Sequence, residues 1–222
     1  MTEIKLYAQD SRYLVVDKPI GRSVHGDHDQ SVTAILRHQL NADVYPCHRL
    51  DRDTSGLLLL ALDSEAAAEL SQQFYLRRVQ KYYFGVTASR PSKSQGKVIG
   101  DLHKSRNGSY KLARTKLNPS MTYFFSRGLK PGYRALLFKP VTGQTHQLRV
   151  VAKSLGAPLL GDQRYGGAEA DRMYLHAAYL SFEFQGQHHD YYLPPADGEW
   201  FEDFLNPADD PWLRPDELPW PR

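Results

Sequence analysis

The segment His48-Arg49-Leu50-Asp51-Arg52-Asp53-Thr54-Ser55-Gly56 puts two carboxylates, two guanidinium groups and an imidazole on nine residues that run straight into the apolar stretch Leu57 to Leu62. That stretch is short and uniform, which reads as a strand buried on both faces, although periodicity alone also allows a helix segment. Thr54-Ser55-Gly56 supplies the turn that feeds it. Asp51 therefore falls on a loop at the edge of a packed core, where a carboxylate is held in one geometry and partly screened from water. A carboxylate so placed suits nucleophilic or base chemistry. Asp51 and Asp53 together also fit a two-carboxylate glycosidase, which needs carboxyl groups ~5 Å apart or more, held toward a sugar. A kinase catalytic loop does not fit, because it needs His-Arg-Asp with an Asn five residues on, and this chain inserts Leu50 and has no Asp-Phe-Gly.

The flanking elements follow from local pattern. Residues 4 to 18 hold a polar turn between two short apolar runs, as in a strand, turn, strand unit, and Pro19-Ile20-Gly21 ends the second strand. Ser31 is placed to cap a helix through Leu40 that ends at Asn41. Asp63 or Ser64 caps a second helix with Ala66, Leu70 and Phe74 on one face and Arg77-Arg78 closing it with the right charge for a C-terminus. Lys81 to Ala88 is aromatic and β-branched and reads as a strand. If it alternates, Lys81, Tyr83 and Gly85 share one face and Tyr82, Phe84 and Val86 the other. Ser89 to Asn118 is polar surface loop or hairpin, with short strands at Val98-Ile99 and Tyr110 to Ala113 about an Asn107-Gly108 turn. Met121 to Phe125 and Tyr133 to Lys139 read as antiparallel strands joined at Leu129 to Gly132, and a helix is expected from about Thr145 to Leu155, stopping at Gly156.

Composition narrows the class. The 222 residues suffice for a core without staples, and one domain, 1–222, with two halves is expected. Hydrophobic residues at 41% and charged residues at 24% are ordinary for a folded protein. The single cysteine, Cys47, excludes an internal disulfide and a cysteine-rich zinc site and reads as a small buried residue. No stretch approaches the ~20 apolar residues of a membrane helix, and the N-terminus lacks the apolar core of a signal peptide, so a cytoplasmic protein without membrane partners is expected. The net charge of +3 conceals an asymmetry: Arg90 to Lys116 carries eight Lys and Arg residues against the single acid Asp101, whereas Asp197 to Arg222 carries eight acids against two arginines. The basic block suits phosphate contacts, with Lys104, Arg106 and Lys111 as the candidate contact residues. The acidic tail holds Trp200, Trp212 and Trp220, an aromatic density that argues for docking on the body of the protein.

Three segments carry a family resemblance. His48-Arg49-Leu50-Asp51-x-x-Thr54-Ser55-Gly56 followed by aliphatics resembles the signature of the RluA-type pseudouridine synthases, enzymes that isomerise uridine in RNA. Lys81-x-Tyr83 and Gly143-Gln144-Thr145-His146-Gln147-Leu148-Arg149-Val150 are similar to two further motifs of that family, as are Asp17-Lys18-Pro19-x-Gly21 near the start and Gly161-Asp162-x-x-Tyr165-Gly166 downstream. The resemblance implies an α+β fold, the pseudouridine synthase fold, with a mixed, mostly antiparallel sheet in two halves, flanking helices and a central catalytic cleft. It implies Asp51 as the catalytic residue, Arg149 as the side chain that pairs with it across the cleft, Tyr83 packing on the target base, and Leu148 as a second pocket wall. Arg49 would fill the space that the base leaves or hold the strand. No cofactor and no metal is expected, and His176, His188 and His189 read as structural histidines. The matched motifs start almost at the N-terminus, so a short member without the accessory RNA-binding domain, acting as a monomer on ribosomal or transfer RNA, is expected. Two positions depart from the family pattern: Gln144 where Arg is usual and Val151 where His is frequent.

Overall fold

The two apolar runs near the start form β1 (Lys5–Gln9) and β2 (Tyr13–Lys18), paired antiparallel in a computed structural model that describes residues 3–26, 29–202, 204 and 210–221. Asp10 makes the turn between them, its Oδ1 accepting the Arg12 N–H at 3.0 Å while its own N–H reaches the Tyr13 carbonyl at 2.9 Å. The described residues separate into two compact units, the first from 1–81 and 177–194 and the second from 82–176 and 195–222.

In the first unit, α1 (Val32–Leu40) starts where Ser31 Oγ accepts the Ala34 N–H at 3.2 Å and ends at Asn41 in the left-handed region, φ 49°. After the short β3 (Tyr45–Pro46), the apolar run forms β4 (Ser55–Ala61) with all seven residues buried, which settles strand over helix. Antiparallel register sets Leu14 opposite Leu60, Val15 opposite Leu59 and Val16 opposite Leu58. One face of this pair, with Val15, Leu57 and Leu59, packs on Ala66 and Leu70 of α2 (Ser64–Tyr75) and on Leu180 and Phe182. Each of the four buried leucines, Leu57 to Leu60, contributes roughly 1.5–3 kcal/mol through removal from water. Asp63 caps α2, its Oδ1 accepting the Ala66 N–H at 2.8 Å, and Arg12 clasps both carboxylate oxygens at 2.8 and 2.7 Å. The helix stops at Tyr75, with Leu76 as its cap and Arg77 in the left-handed region at φ 60°, so Arg77-Arg78 lie beyond the last turn they were expected to close. Strands β10 (Leu175–Phe184) and β11 (Gln187–Tyr192), numbered in chain order, complete the sheet order β1-β2-β4-β10-β11, with β3 also on β4. Gly56 permits the close approach of β4 to β10: a Cβ there would lie 2.3 Å from the Ala177 carbonyl oxygen, and its φ of 106° suits glycine.

The second unit orders its strands β5 (Gln80–Thr87, which begins in the first unit), β9 (Tyr133–Pro140), β8 (Ser120–Lys130), β6 (Gln95–Lys104) and β7 (Tyr110–Ala113). From Tyr82 on, β5 is buried on both faces, so the expected alternation does not show in its burial. β6 is much longer than the Val98-Ile99 pair that the apolar content marks. Its first half pairs with β8 and its second half, from Asp101 to Lys104, with β7, so backbone pairing on two partners carries a polar sequence. The hairpin turn falls at Asn107 and Gly108, both at positive φ, as the sequence requires. Helix α3 (Gln147–Ser154) begins two residues later than expected because His146 takes a left-handed conformation, φ 57°. The result is a mixed, mostly antiparallel sheet with three α-helices among the described residues, the expected α+β class.

Trp212 is buried in the second unit, and the Trp220 ring lies 5.6 Å from Tyr82 and 4.7 Å from Phe125, so the tail does dock. Among the described residues no helix is long and apolar enough to cross a membrane.

Candidate active site

The Asp51 loop is fixed from beneath by a cation. Lys18, fully buried at the end of β2, donates to the carbonyls of Pro19, Arg52 and Thr54 at 2.8, 3.0 and 2.8 Å. An ammonium has three hydrogens, and three carbonyls of the adjoining loops receive them. The Thr54 N–H reaches the Asp51 carbonyl at 3.1 Å, and Arg52 Nε reaches the Gly21 carbonyl at 3.0 Å, so residues 51–54 are tied both to themselves and to residues 18–21. Asp51 is half-buried on this loop, Arg49 and Asp53 are exposed, and Leu50 is buried between Arg49 and Asp51 as an anchor.

His48 fixes the other end of the motif. Its Nε2 accepts the Leu59 N–H at 3.0 Å, which requires the neutral ring, and the imidazole stacks on Phe74 at 4.3 Å. Burial, seconded by the Lys81 ammonium, pushes the His48 pKa down to about 3, and burial brings Lys81 down to about 8. Burial also raises the neighbouring Cys47 thiol to about 12, so Cys47 is an inert packing residue.

In the second unit, the turn before α3 is built around Gln147, a buried amide with all its bonds made. Its Oε1 accepts from Thr142 Oγ1 at 2.7 Å and from the Gln144 N–H at 3.0 Å, and its Nε2 donates to the Met121 carbonyl and Thr122 Oγ1 at 3.1 and 2.9 Å. This turn delivers Leu148 and Arg149, both buried, on the first turn of α3. Arg149 clasps Asp162, Nε to Oδ2 at 2.8 Å and Nη2 to Oδ1 at 2.7 Å, with both side chains buried. Gly161 lets the backbone just before Asp162 pass close to Arg172, since a Cβ there would sit 1.8 Å from the Arg172 carbonyl oxygen. The guanidinium also lies 5.0 Å from the Tyr165 ring, whose hydroxyl accepts the Tyr110 N–H and pairs with His146 Nδ1, each at 2.9 Å. Tyr83 is buried in β5, opposite Phe138 of β9.

The profile of the RNA pseudouridylate synthase family matches residues 12–154. The chain belongs to this family. It is a pseudouridine synthase, as the RluA-type resemblance implies. An uncharacterized RNA pseudouridine synthase of Haemophilus influenzae is 46% identical over 82% of this chain and 83% of that protein. A ribosomal large subunit pseudouridine synthase C of Rickettsia conorii is 36% identical over 79% of this chain but only 62% of its own length, so the synthase spans about three-fifths of that relative. The solved structure of human RNA pseudouridylate synthase domain containing 1 superposes with a TM-score of 0.74 at 28% identity, covering 87% of this chain and 84% of the human one.

Of the residues the sequence singles out, Arg49 and Asp51 of the synthase lie in the first unit, and Tyr83, Leu148 and Arg149 in the second. Lys104, Arg106 and Lys111 are exposed about the β6–β7 hairpin, as are the other five bases of the block. Its one acid is turned inward. Asp101 is buried, accepts the Leu117 and Asn118 N–H groups at 2.9 Å each, and is held below the usual carboxylate range by the Leu117 bond and then by Thr115. The outward charge of the hairpin is therefore basic throughout. His176 packs near Phe201, His188 bridges to Asp190 and His189 contacts the Tyr13 hydroxyl, which accounts for each histidine singly. Of the two departures from the family pattern, Val151 is fully buried on α3, and the Gln144 side chain donates to the Asn118 carbonyl at 3.0 Å.

Sequence reading missed the roles of Lys18, Asp101 and Asp162. A cation closing the apolar run Leu14-Val15-Val16 was the available signal for Lys18, and the lone acid of a basic block was the signal for Asp101. Nothing in the spacing ties Asp162 to Arg149, thirteen residues earlier.

Proposed function

We propose that the synthase converts specific uridines of ribosomal RNA to pseudouridine, with Asp51 as its essential carboxylate and Arg149 as the electrostatic partner. The observation that carries the role of Asp51 is its loop, held through the Arg52 and Thr54 carbonyls by a fully buried lysine and bearing a half-buried carboxylate at its start. The choice of ribosomal RNA is supported by the relatives named ribosomal large subunit pseudouridine synthase C; transfer RNA is the other outcome that mapping can return.

The reaction breaks the N1–C1′ bond, turns the uracil and forms C5–C1′. C5 gives up its hydrogen and N1 gains one, so the mass is unchanged. An ionised Asp51 serves this either by covalent attachment or as a base on the sugar. The target base leaves its stack to be reached, with Arg49 filling the gap or holding the strand and Tyr83 and Leu148 walling the base. Two of the five donors of Arg149 go to Asp162, so that bond and a contact to a second carboxylate are compatible.

The test is tritium release from C5-labelled uridine in RNA from a strain lacking the protein, with pseudouridine mapping of the same RNA. Asp51→Asn should bind RNA and release no tritium. Asp53→Asn should retain activity, because only the two-carboxylate glycosidase reading needs it. Turnover by purified Asp51→Asn would overturn the assignment, and equal loss in Asp53→Asn would revive that rival.

A further inference from the structure

Leu117 exposes 91% of its surface, directly after Lys116, the last base of the basic block. Isolated apolar side chains on a surface are commonplace, and exposure alone means little. What sets this one apart is how its backbone is held. The buried carboxylate of Asp101 takes the N–H groups of both Leu117 and Asn118, the Asp101 N–H reaches the Thr115 carbonyl at 3.1 Å, and Gln144 clamps the Asn118 carbonyl. A loop with an exposed tip is thus fixed on both sides, one clamp coming from the position where the family usually has Arg. Arg114 and Lys116, both exposed, precede the tip in the chain.

We propose that the loop 114–118 is a rigid RNA finger, in which Arg114 and Lys116 contact phosphates and Leu117 packs against a base displaced from its stack. The proposal rests on the reading of the chain as an enzyme that acts on RNA. Apolar side chains inserted at a base step hold nucleic acid in a deformed state, and a preformed finger spends no conformational entropy on doing so. Phosphate contacts alone would leave no use for an apolar tip, whereas an apolar side chain directly after Lys116 meets a base wherever that cation meets the backbone.

The experiment measures filter binding of unmodified C5-tritiated ribosomal RNA transcript, and tritium release from it, between about 50 and 200 mM salt. Leu117→Ser should weaken binding about tenfold at every salt concentration, with a salt slope parallel to wild type, and Leu117→Phe should restore binding. The pair Arg114→Ala and Lys116→Ala should instead reduce the slope by up to about two. The exposed position makes folding of the Leu117 variants secure. Wild-type binding by Leu117→Ser, or a loss that appears in the salt slope, overturns the proposal. Failure of the Asp51 assignment would appear on the other axis, as turnover by Asp51→Asn, so the two outcomes are separable.

Discussion

Arg149 was expected to be an electrostatic partner, and the carboxylate found on its Nε–Nη2 edge is Asp162. With both groups buried, removing either takes a two-bond partner from the other, and Asp162→Ala should cost about 3–5 kcal/mol in urea denaturation. Arg149→Ala should show a similar loss with the partner reversed, so its activity must be read on the folded fraction. His48 yields a pH prediction. Its ordinary pKa near 6.5 falls to about 3 in the fold, so between these values the unfolded chain takes a proton that the folded chain refuses, and stability declines as pH drops through that window. The loss should be on the order of a few kcal/mol, and His48→Gln, which keeps an acceptor for the Leu59 N–H, should flatten it in denaturation curves at several pH values. For Tyr83, Phe should preserve the ring contact, and Ala should lose ~1 to 3 kcal/mol of base contact in kcat/KM; full activity in Tyr83→Ala would return the residue to the core. At this scale the loop position of Asp51 was legible because residues 48–56 run directly into the buried strand that follows them. Asp162 and Lys18 were not, since a buried charge finds its partners through the fold and leaves no local spacing to read.

The helices and strands were read from local rules where local rules decide. Ser31, Asp63 and Asn41 cap where expected, because a cap needs only its own side chain and the next turn. The start of α3 was misplaced because Gln147 reaches residues 121 and 122 to shape the turn before it, information absent from positions 143–147. The length of β6 was misjudged for a like reason, its two halves being paid out to different partners. The loop that carries Asp51 depends on Lys18, and Lys18→Met keeps the stem while removing the ammonium. It should leave buried carbonyls unsatisfied at roughly 1–3 kcal/mol each and lower kcat more than RNA affinity, as read by tritium release alongside filter binding. For the hairpin, changing Lys104, Arg106 and Lys111 to Ala should flatten the salt dependence of RNA binding by up to about three units of slope, and an unchanged slope would leave the block a role in solubility only.

Neither unit is a continuous piece of chain, a feature that motif reading did not reach: 1–81 joins 177–194, and 82–176 joins 195–222. The tail is part of the second unit. Trp212 packs 5.9 Å from Phe204, with the Arg127 guanidinium 4.1 Å over its ring, and Arg127 Nη1 reaches Asp210 at 2.7 Å. Trp212→Ala should therefore destabilise by about 3–5 kcal/mol in denaturant titration, far beyond the effect of a surface change. The same connectivity governs birth of the molecule on the ribosome. When residue 176 leaves the exit tunnel, the first sheet still lacks β10 and β11, and when residue 194 leaves it, the second still lacks the aromatic cover from Phe201 to Trp220. A nascent chain thus has its basic hairpin out of the tunnel while both halves still await later residues to close them.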